Sequence, residues 1–334
     1  MKESSYYLFQ SGTIKRKDNT VHLCMEKDGE TIKRDLPIER IHDLYIFGEV
    51  NLNSKLLNFL GQNKVLIHFF NYYGHYTGSF YPREQHVSGA LLVKQVEYYA
   101  DPAKRLALAR CFVTGEYENM YRNLRYYKSR GKDVSQSIDM INKLYSHVKY
   151  CKNVPELMGM EGNIKKTYYG AWQSIINTDI DFERREKRPP KNMINTLISF
   201  TNMFVYAKVL SEIYKTSLNP TISYLHEPSE KRFSLALDIA EIFKPLLADR
   251  LIFSMLNKKA IGENDFEKGI DNICLKEKAV RKITEELNKR CKTTISHKDL
   301  GRDTSYQYLM RLECYKIIKH LMGAKEYVPF KIWW

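Results

Sequence analysis

Between Tyr224 and Arg250 the chain reads YLHEPSEKRFSLALDIAEIFKPLLADR, which sets His226 just ahead of an apolar helix that carries Asp238, Glu241 and Asp249. Ser234, Asp238, Glu241, Pro245 and Asp249 recur at spacings of three and four and so share one helical face. Leu235, Leu237, Ile239, Ala240, Ile242 and Phe243 fill the rest of the circumference, the pattern of a helix buried on several sides. An ionised carboxylate on such a helix needs a cation, because an isolated buried charge is costly. Two kinds of cation answer that need. Lys231, Arg232 or Arg250 could neutralise the acids as salt bridges. Alternatively, carboxylates converging with the His226 imidazole make a divalent-metal site, manganese or magnesium, because the set is rich in oxygen and has no thiolate nearby.

A second acid sits in MGMEGNIKKTYYGAW, where Glu161 is followed by Lys165, Lys166, Tyr168 and Tyr169. A basic and aromatic run of this kind suits a nucleic-acid strand, with lysines on phosphates and rings against bases. The bland reading places Glu161 near a helix junction and leaves the lysines in solvent. Arg184, Arg185, Lys187, Arg188 and Lys191 form the densest basic cluster of the chain, read either as a DNA contact or as a solvated loop.

These residues belong to a chain of 334 residues with 53 basic and 39 acidic side chains, a formal net charge of +14. That imbalance favours a polyanionic partner, nucleic acid before an acidic membrane surface. No apolar run is read as approaching the roughly 20 residues needed to span a bilayer and MKESSYYLFQ is not read as a signal peptide, so the expectation is a cytoplasmic protein without a membrane partner. The six cysteines are scattered without a CxxC pair, which excludes a zinc ribbon or thiol-exchange motif and reads as reduced thiols.

Two kinds of periodicity divide the chain. From Tyr6 to about Phe80, short β-branched and aromatic runs bounded by Gly, Asn, Asp and Pro predict strands. A helix over about 52–62 interrupts them, with Leu56, Leu57 and Leu60 on one face, and NYYGHYTGSF predicts a hairpin turning at Asn71 and Gly74. After YPREQH, helical periodicity predicts helices near 87–100, 103–128, 133–150, 154–178, 191–216, 233–258, 265–290 and 303–323. The expected fold class is α+β: a β-rich N-terminal domain over 1–84 and a larger α-helical domain over 85–334.

EGNIKKTYYGAW, KRPPKNMINTLISFTNMFVYAKVL, LNPTISYLHEPSEKRFSLALDIAEIFKPLLADRL and YVPFKIWW, in this order, resemble the CRISPR-associated integrase family, the first Cas protein. YYLFQSGTIKRKDNTVHL, LPIERIHDLYIFGEVNLNSKLLNFLGQNKVLIHFFNYYGHYTGSF and YPRE resemble that family's β-domain and linker, so the likeness covers nearly the whole chain. The resemblance implies catalytic, metal-holding positions at Glu161, His226 and Glu241, with Asp238 either orienting His226 or binding a metal itself. It implies insertion of spacer DNA into a CRISPR array by 3′-hydroxyl attack on a phosphodiester, and hydrolysis when water replaces that hydroxyl. The implied partners are a prespacer duplex, the CRISPR repeat, a second copy of the chain through the β-domain, and the small ferredoxin-like second Cas protein. Candidate DNA contacts are Lys165, Lys166, Tyr168, Arg184, Arg185, Arg188 and Arg232. Asn195 and Ser199 also match family positions, either supporting the site or packing two helices. NPTISYLHEPSEKR lacks two glycines that the family often has, and Glu118-Asn119 stands where it commonly has Lys-Asn. Other readings stay open at this point: a stand-alone nuclease acting on branched DNA, and a non-catalytic DNA-binding scaffold.

Overall fold

The structure, a computed structural model, describes residues 4–27, 29–71, 73–83, 86–177, 182, 185–186, 190–228, 233–269, 272–297 and 300–333. The chain is α+β, strands first and then mostly helices. Its compact units are Met1–Gln85 with Leu275–Lys282, and His86–Cys274 with Ile283–Trp334.

The first unit holds two four-stranded sheets. In one, β1 (Ser4–Leu8), β5 (Ile41–Ile46) and β7 (Leu66–Phe70) run parallel and β8 (Tyr76–Phe80) closes the edge antiparallel to β7. In the other, β2 (Gly12–Lys17), β3 (Thr20–Lys27) and β4 (Glu30–Pro37) form an antiparallel meander, with β6 (Val50–Asn51) parallel to β2. Every residue of β5 is buried, as a central strand requires, and Tyr45 on it stacks on Tyr7 at 5.0 Å. Helix α1 (Ser54–Gln62) starts where the Asn53 side chain accepts from Leu56 N–H, and it buries Leu56, Phe59 and Leu60 while Leu57 stays partly exposed. The hairpin forms as the spacing predicts: Gly74, at φ +75°, donates its N–H to Asn71 O, 2.8 Å away. Gly12 is also obligatory, since a Cβ there would lie 2.2 Å from the Cys24 carbonyl oxygen.

The second unit is built from α2 (Gly89–Ala100), α3 (Pro102–Lys128), α4 (Ser135–Ser146), α5 (Val154–Gly170), the short α6 (Trp172–Ile175), α7 (Met193–Tyr214), α8 (Ser234–Lys244), α9 (Arg250–Asn257) and α11 (Tyr306–Leu321). Its starts are written in sequence: Asp101, Asn153 and Asn192 each cap a helix with the side-chain oxygen, and Pro102 and Pro155 occupy first-turn positions where no N–H is needed. Helix α7 is 22 residues long and apolar enough to cross a membrane, which corrects the expectation that no run approaches that length. It is the core helix of the unit: 78% of its most apolar window is buried, and buried Glu212 on it accepts from Arg311 at 2.6 Å and Gln307 at 2.9 Å.

Three helical expectations are corrected. The stretch 265–290 contains β9 (Phe266–Lys268) and β10 (Ile273–Leu275) before α10 (Glu277–Lys292) begins, with Gly269 donating to Asn272 O in the connection. The stretch 303–323 starts as a strand, because β11 (Thr294–His297) and β12 (Arg302–Ser305) pair antiparallel and Ser305 then caps α11. The stretch 233–258 is two helices joined by a π-helical turn, Pro245–Asp249. Pro245 has no N–H to offer the Glu241 carbonyl, so the α ladder cannot pass through it and the turn widens.

Candidate metal centre

Two asparagines on α3 dock that helix onto the broken ladder. Asn119 Nδ2 donates to Ile242 O at 2.8 Å and Asn123 Nδ2 to Pro245 O at 2.7 Å, meeting carbonyls near the proline where regular helix bonds are interrupted. Both asparagines are buried, and the same face of α3 carries Glu116 one turn earlier. Packing of α3 on α8 therefore brings Glu116 to Glu241, and packing of α3 on α5 brings Glu161 and Lys165 to the same point.

The result is a cage of acids around one ammonium. Lys165 Nζ lies 2.9 Å from Glu116 Oε1 and 2.8 Å from Glu241 Oε2, and it also contacts Glu161 Oε1 on its own helix. The carboxylates of Glu116, Glu161 and Glu241 offer oxygens within 4.8 Å of one another. Glu241 Oε1 takes a second ammonium, Lys244 Nζ, at 2.6 Å, and faces His226 Nε2 at 3.9 Å. Glu116 Oε2 is buried without a hydrogen-bond partner among the described residues.

Electrostatics follow from that arrangement. Burial opposes charge on Glu116, Lys165 and Glu241, but Lys165 and Lys244 outweigh it at Glu241 and hold its carboxyl well below the usual range. At Glu116 burial wins, reinforced by the two neighbouring acids, and pushes its carboxyl well above the usual range. Lys165, held by three carboxylates, is raised well above an ordinary lysine despite its burial.

Asp238 has a different task. Its Oδ2 accepts from Tyr224 N at 2.7 Å and Leu225 N at 3.0 Å, while Oδ1 accepts from His226 N at 3.0 Å and lies 2.8 Å from His226 Nδ1. With both oxygens engaged, Asp238 fixes the loop that carries His226 and draws the ring proton to Nδ1, leaving Nε2 as a lone-pair donor toward Glu241. Of the two options read from sequence, this geometry matches orientation of the histidine. The other acid of the stripe parts from the group: the π turn carries Asp249 to the Tyr168 hydroxyl, and burial pushes its carboxyl up to about 7.

Among the described residues the cations met by Glu241 are Lys165 and Lys244; of the three considered in the salt-bridge reading, Arg250 lies over the Tyr126 ring at 5.1 Å. Among the candidate DNA contacts, Lys166 is exposed. Tyr168 is corrected: at 1% exposure, receiving Asn123 Nδ2 at 3.1 Å, its ring cannot stack on a base. Lys165 is turned into the acid cage. Arg185 points into the fold, donating to Asn195 Oδ1 at 2.9 Å and Ser199 Oγ at 3.0 Å, so those two residues serve one guanidinium. Arg184, Lys187, Arg188, Lys231 and Arg232 lie outside the described residues. Glu116 escaped the sequence reading; its signal is the spacing Glu116, Asn119, Asn123, a polar line at helical intervals on a helix otherwise rich in buried apolar residues.

Fold and site together define an α+β chain whose helical unit gathers three carboxylates around one lysine, with an imidazole facing one of them. A family model described as CRISPR associated protein Cas1 matches residues 6–289. The chain is 57% identical to the CRISPR-associated endonuclease Cas1 of Fusobacterium nucleatum, over 99% of this chain and 97% of that one. It superimposes on the structure of TM1797, a Cas1 protein from Thermotoga maritima, with a TM-score of 0.88 and 39% identity, covering 98% of this chain and 100% of the other. A Cas6-RT-Cas1–Cas2 complex contains a chain of the same fold, with a TM-score of 0.85 and 19% identity over 100% of this chain and 36% of that one. The chain belongs to the Cas1 family.

Proposed function

We propose that the chain is a divalent-metal-dependent DNA integrase and endonuclease that inserts spacer DNA into a CRISPR array. One observation carries the reading: the carboxylates of Glu116, Glu161 and Glu241 gather around a single cation beside the free nitrogen of His226. Such a donor set fits manganese or magnesium, and the unpartnered Glu116 Oε2 leaves an acceptor over for a further bond. Glu161, His226 and Glu241 would hold the ion, with Glu116 in reach as a fourth donor. When bound, the metal supplies charge stabilisation at the attacked phosphorus and the leaving oxygen.

The chain's own residues prepare that chemistry. Asp238 keeps the His226 proton on Nδ1. Lys244 keeps Glu241 ionised. Lys165 holds the three carboxylates together, and once released from them its ammonium can pair with a substrate phosphate, which restores its expected DNA role. A DNA 3′-hydroxyl attacks a phosphodiester at the repeat border; one P–O bond forms as one breaks, so no energy source is consumed. Water as nucleophile gives hydrolysis. The acting assembly in this reading is a dimer of the chain, joined through the β-rich domain, with the small second Cas protein, a prespacer duplex and the repeat. Family membership supports these partners and a cytoplasmic setting.

Strand transfer of a labelled short duplex into a supercoiled plasmid carrying a repeat tests the proposal, with manganese, with magnesium, with chelator, and with His226→Ala. Joined products that need metal and vanish in the variant are expected. Nicking without joining would leave a stand-alone nuclease, and binding alone a scaffold.

A further inference from the structure

The π turn has a second face. Leu246 and Leu247, both buried, form the floor of a cavity of about 490 Å³ that is also lined by Tyr126, Arg250, Arg290 and Tyr306. That volume lies within the roughly 300–1,000 Å³ typical of small-ligand pockets. Exposed Thr293 stands at the rim, so the cavity opens to solvent.

Its charge has one sign. Among the described residues no Asp or Glu lines it, while two guanidiniums do. Arg290 donates to the Arg250 carbonyl oxygen at 3.3 Å, which brings two like charges to one wall. Burial and the neighbouring Arg250 both hold Arg290 below the usual arginine range. The nearest acid along α10, Glu286, is bound to Lys289 at 2.6 Å and also attracts Arg290, but less than burial and Arg250 oppose it. Arg250 lies over the Tyr126 ring at 5.1 Å, and Arg130 lies over the same ring at 5.3 Å. Like charges held together over an apolar and aromatic floor suit a ligand with an anionic end and a flat apolar body.

We infer that this pocket binds one nucleotide unit of a single DNA strand, its phosphate on Arg250 and Arg290 and its base against Tyr126 and the half-buried Ile295 on the wall. Identification of the strand as DNA rests on the proposed function; the pocket itself does not. Because Leu246 and Leu247 sit on the turn that directly continues the helix of Glu241, a strand held here is anchored next to the element that carries the acid cage.

Calorimetric titration of the full chain in chelator with 5′-phosphorylated dithymidylate tests the inference without any catalysis. Arg290→Gln is expected to weaken binding at least tenfold, and Tyr126→Ala, a second variant with an unchanged arginine pair, is expected to weaken it too. Equal affinity in all variants, or inorganic phosphate competing as well as the dinucleotide, would each overturn the assignment. Thymidine 5′-monophosphate binding as tightly as the dinucleotide would make this a free-nucleotide pocket and overturn the strand. A chain that binds the dinucleotide yet joins no DNA would sink the integrase reading and leave the pocket standing.

Discussion

Glu313 and Glu241 are both buried acids of the helical unit, at 0% and 4% exposure, and the chain treats them in opposite ways. Glu313 Oε1 accepts from the Tyr327 hydroxyl at 2.5 Å and the Phe330 N–H at 3.0 Å, and Oε2 meets Lys316 at 2.5 Å. Two of those partners belong to the C-terminal segment, so the acid is a clamp on a strap of chain. Glu241 is met, among the described residues, by cationic side chains alone, and it shares Lys165 with Glu116 and Glu161. Neutral, directional donors fix a carboxylate for good. A crowd of acids around too few cations is held together only while some cation stays, and that cation can be exchanged.

Exchanging the roles of the two acids gives the sharpest break in the comparison. Glu241→Gln should lower strand transfer by about 10²–10³, the cost of removing one well-placed electrostatic group, while the urea midpoint changes little. Glu313→Ala should do the reverse. Leaving Tyr327 and the Phe330 N–H unpaired is expected to cost about 1–3 kcal/mol of stability, read as a lower midpoint, with strand transfer per folded molecule retained at low temperature. A Glu313 variant that folds well but is dead would mean that the strap belongs to the catalytic apparatus.

A smaller effect separates the cage from its neighbour Asp249. Its folded pKa, about 7 against an ordinary 3.8, means that the folded chain holds this proton more tightly than the unfolded chain does. Asp249 therefore contributes a loss of stability as pH rises from about 4 toward 7, and no further change above that. Asp249→Asn should match the parent near pH 4 and exceed it at pH 8, measured as the difference in urea midpoint; an equal midpoint throughout would place the acid in contact with a counter-charge. The smallest effect is expected at exposed Lys166, where Lys166→Ala should reduce the slope of log affinity for DNA against log salt by about 1.

Much of the fold was legible because its signals are local. The turn at Asn71 and Gly74 and the helix near 52–62 follow from signals that act within a few residues, whereas the break at Pro245, equally local, was read through as one helix over 233–258. The short pairs β9 with β10 and β11 with β12 were not legible, because strands of three or four residues carry too little alternation beside long amphipathic helices. The cage was legible only in part. His226, Asp238 and Glu241 sit near one another in sequence, but Glu161 joined them through family resemblance, and no spacing places it there. Glu116 was invisible because a glutamate inside a 27-residue helix reads as a solvated charge until packing buries it. The lysine at the centre was assigned to DNA because sequence shows charge and not direction.

The π turn at Pro245–Asp249 also acts as a phase offset. Each residue of an α-helix advances the side chains by about 100°, so the widened turn decides which way every position after it points. With it, Glu241 faces the acid cage while Leu246, Leu247 and Arg250 face the cavity and Asp249 meets Tyr168. Loss of a single residue from the turn would leave the composition of both sites intact and rotate one against the other, like two correct keys cut out of register. The distance between a working centre and a silent one is thus, in this chain, one residue of helical winding.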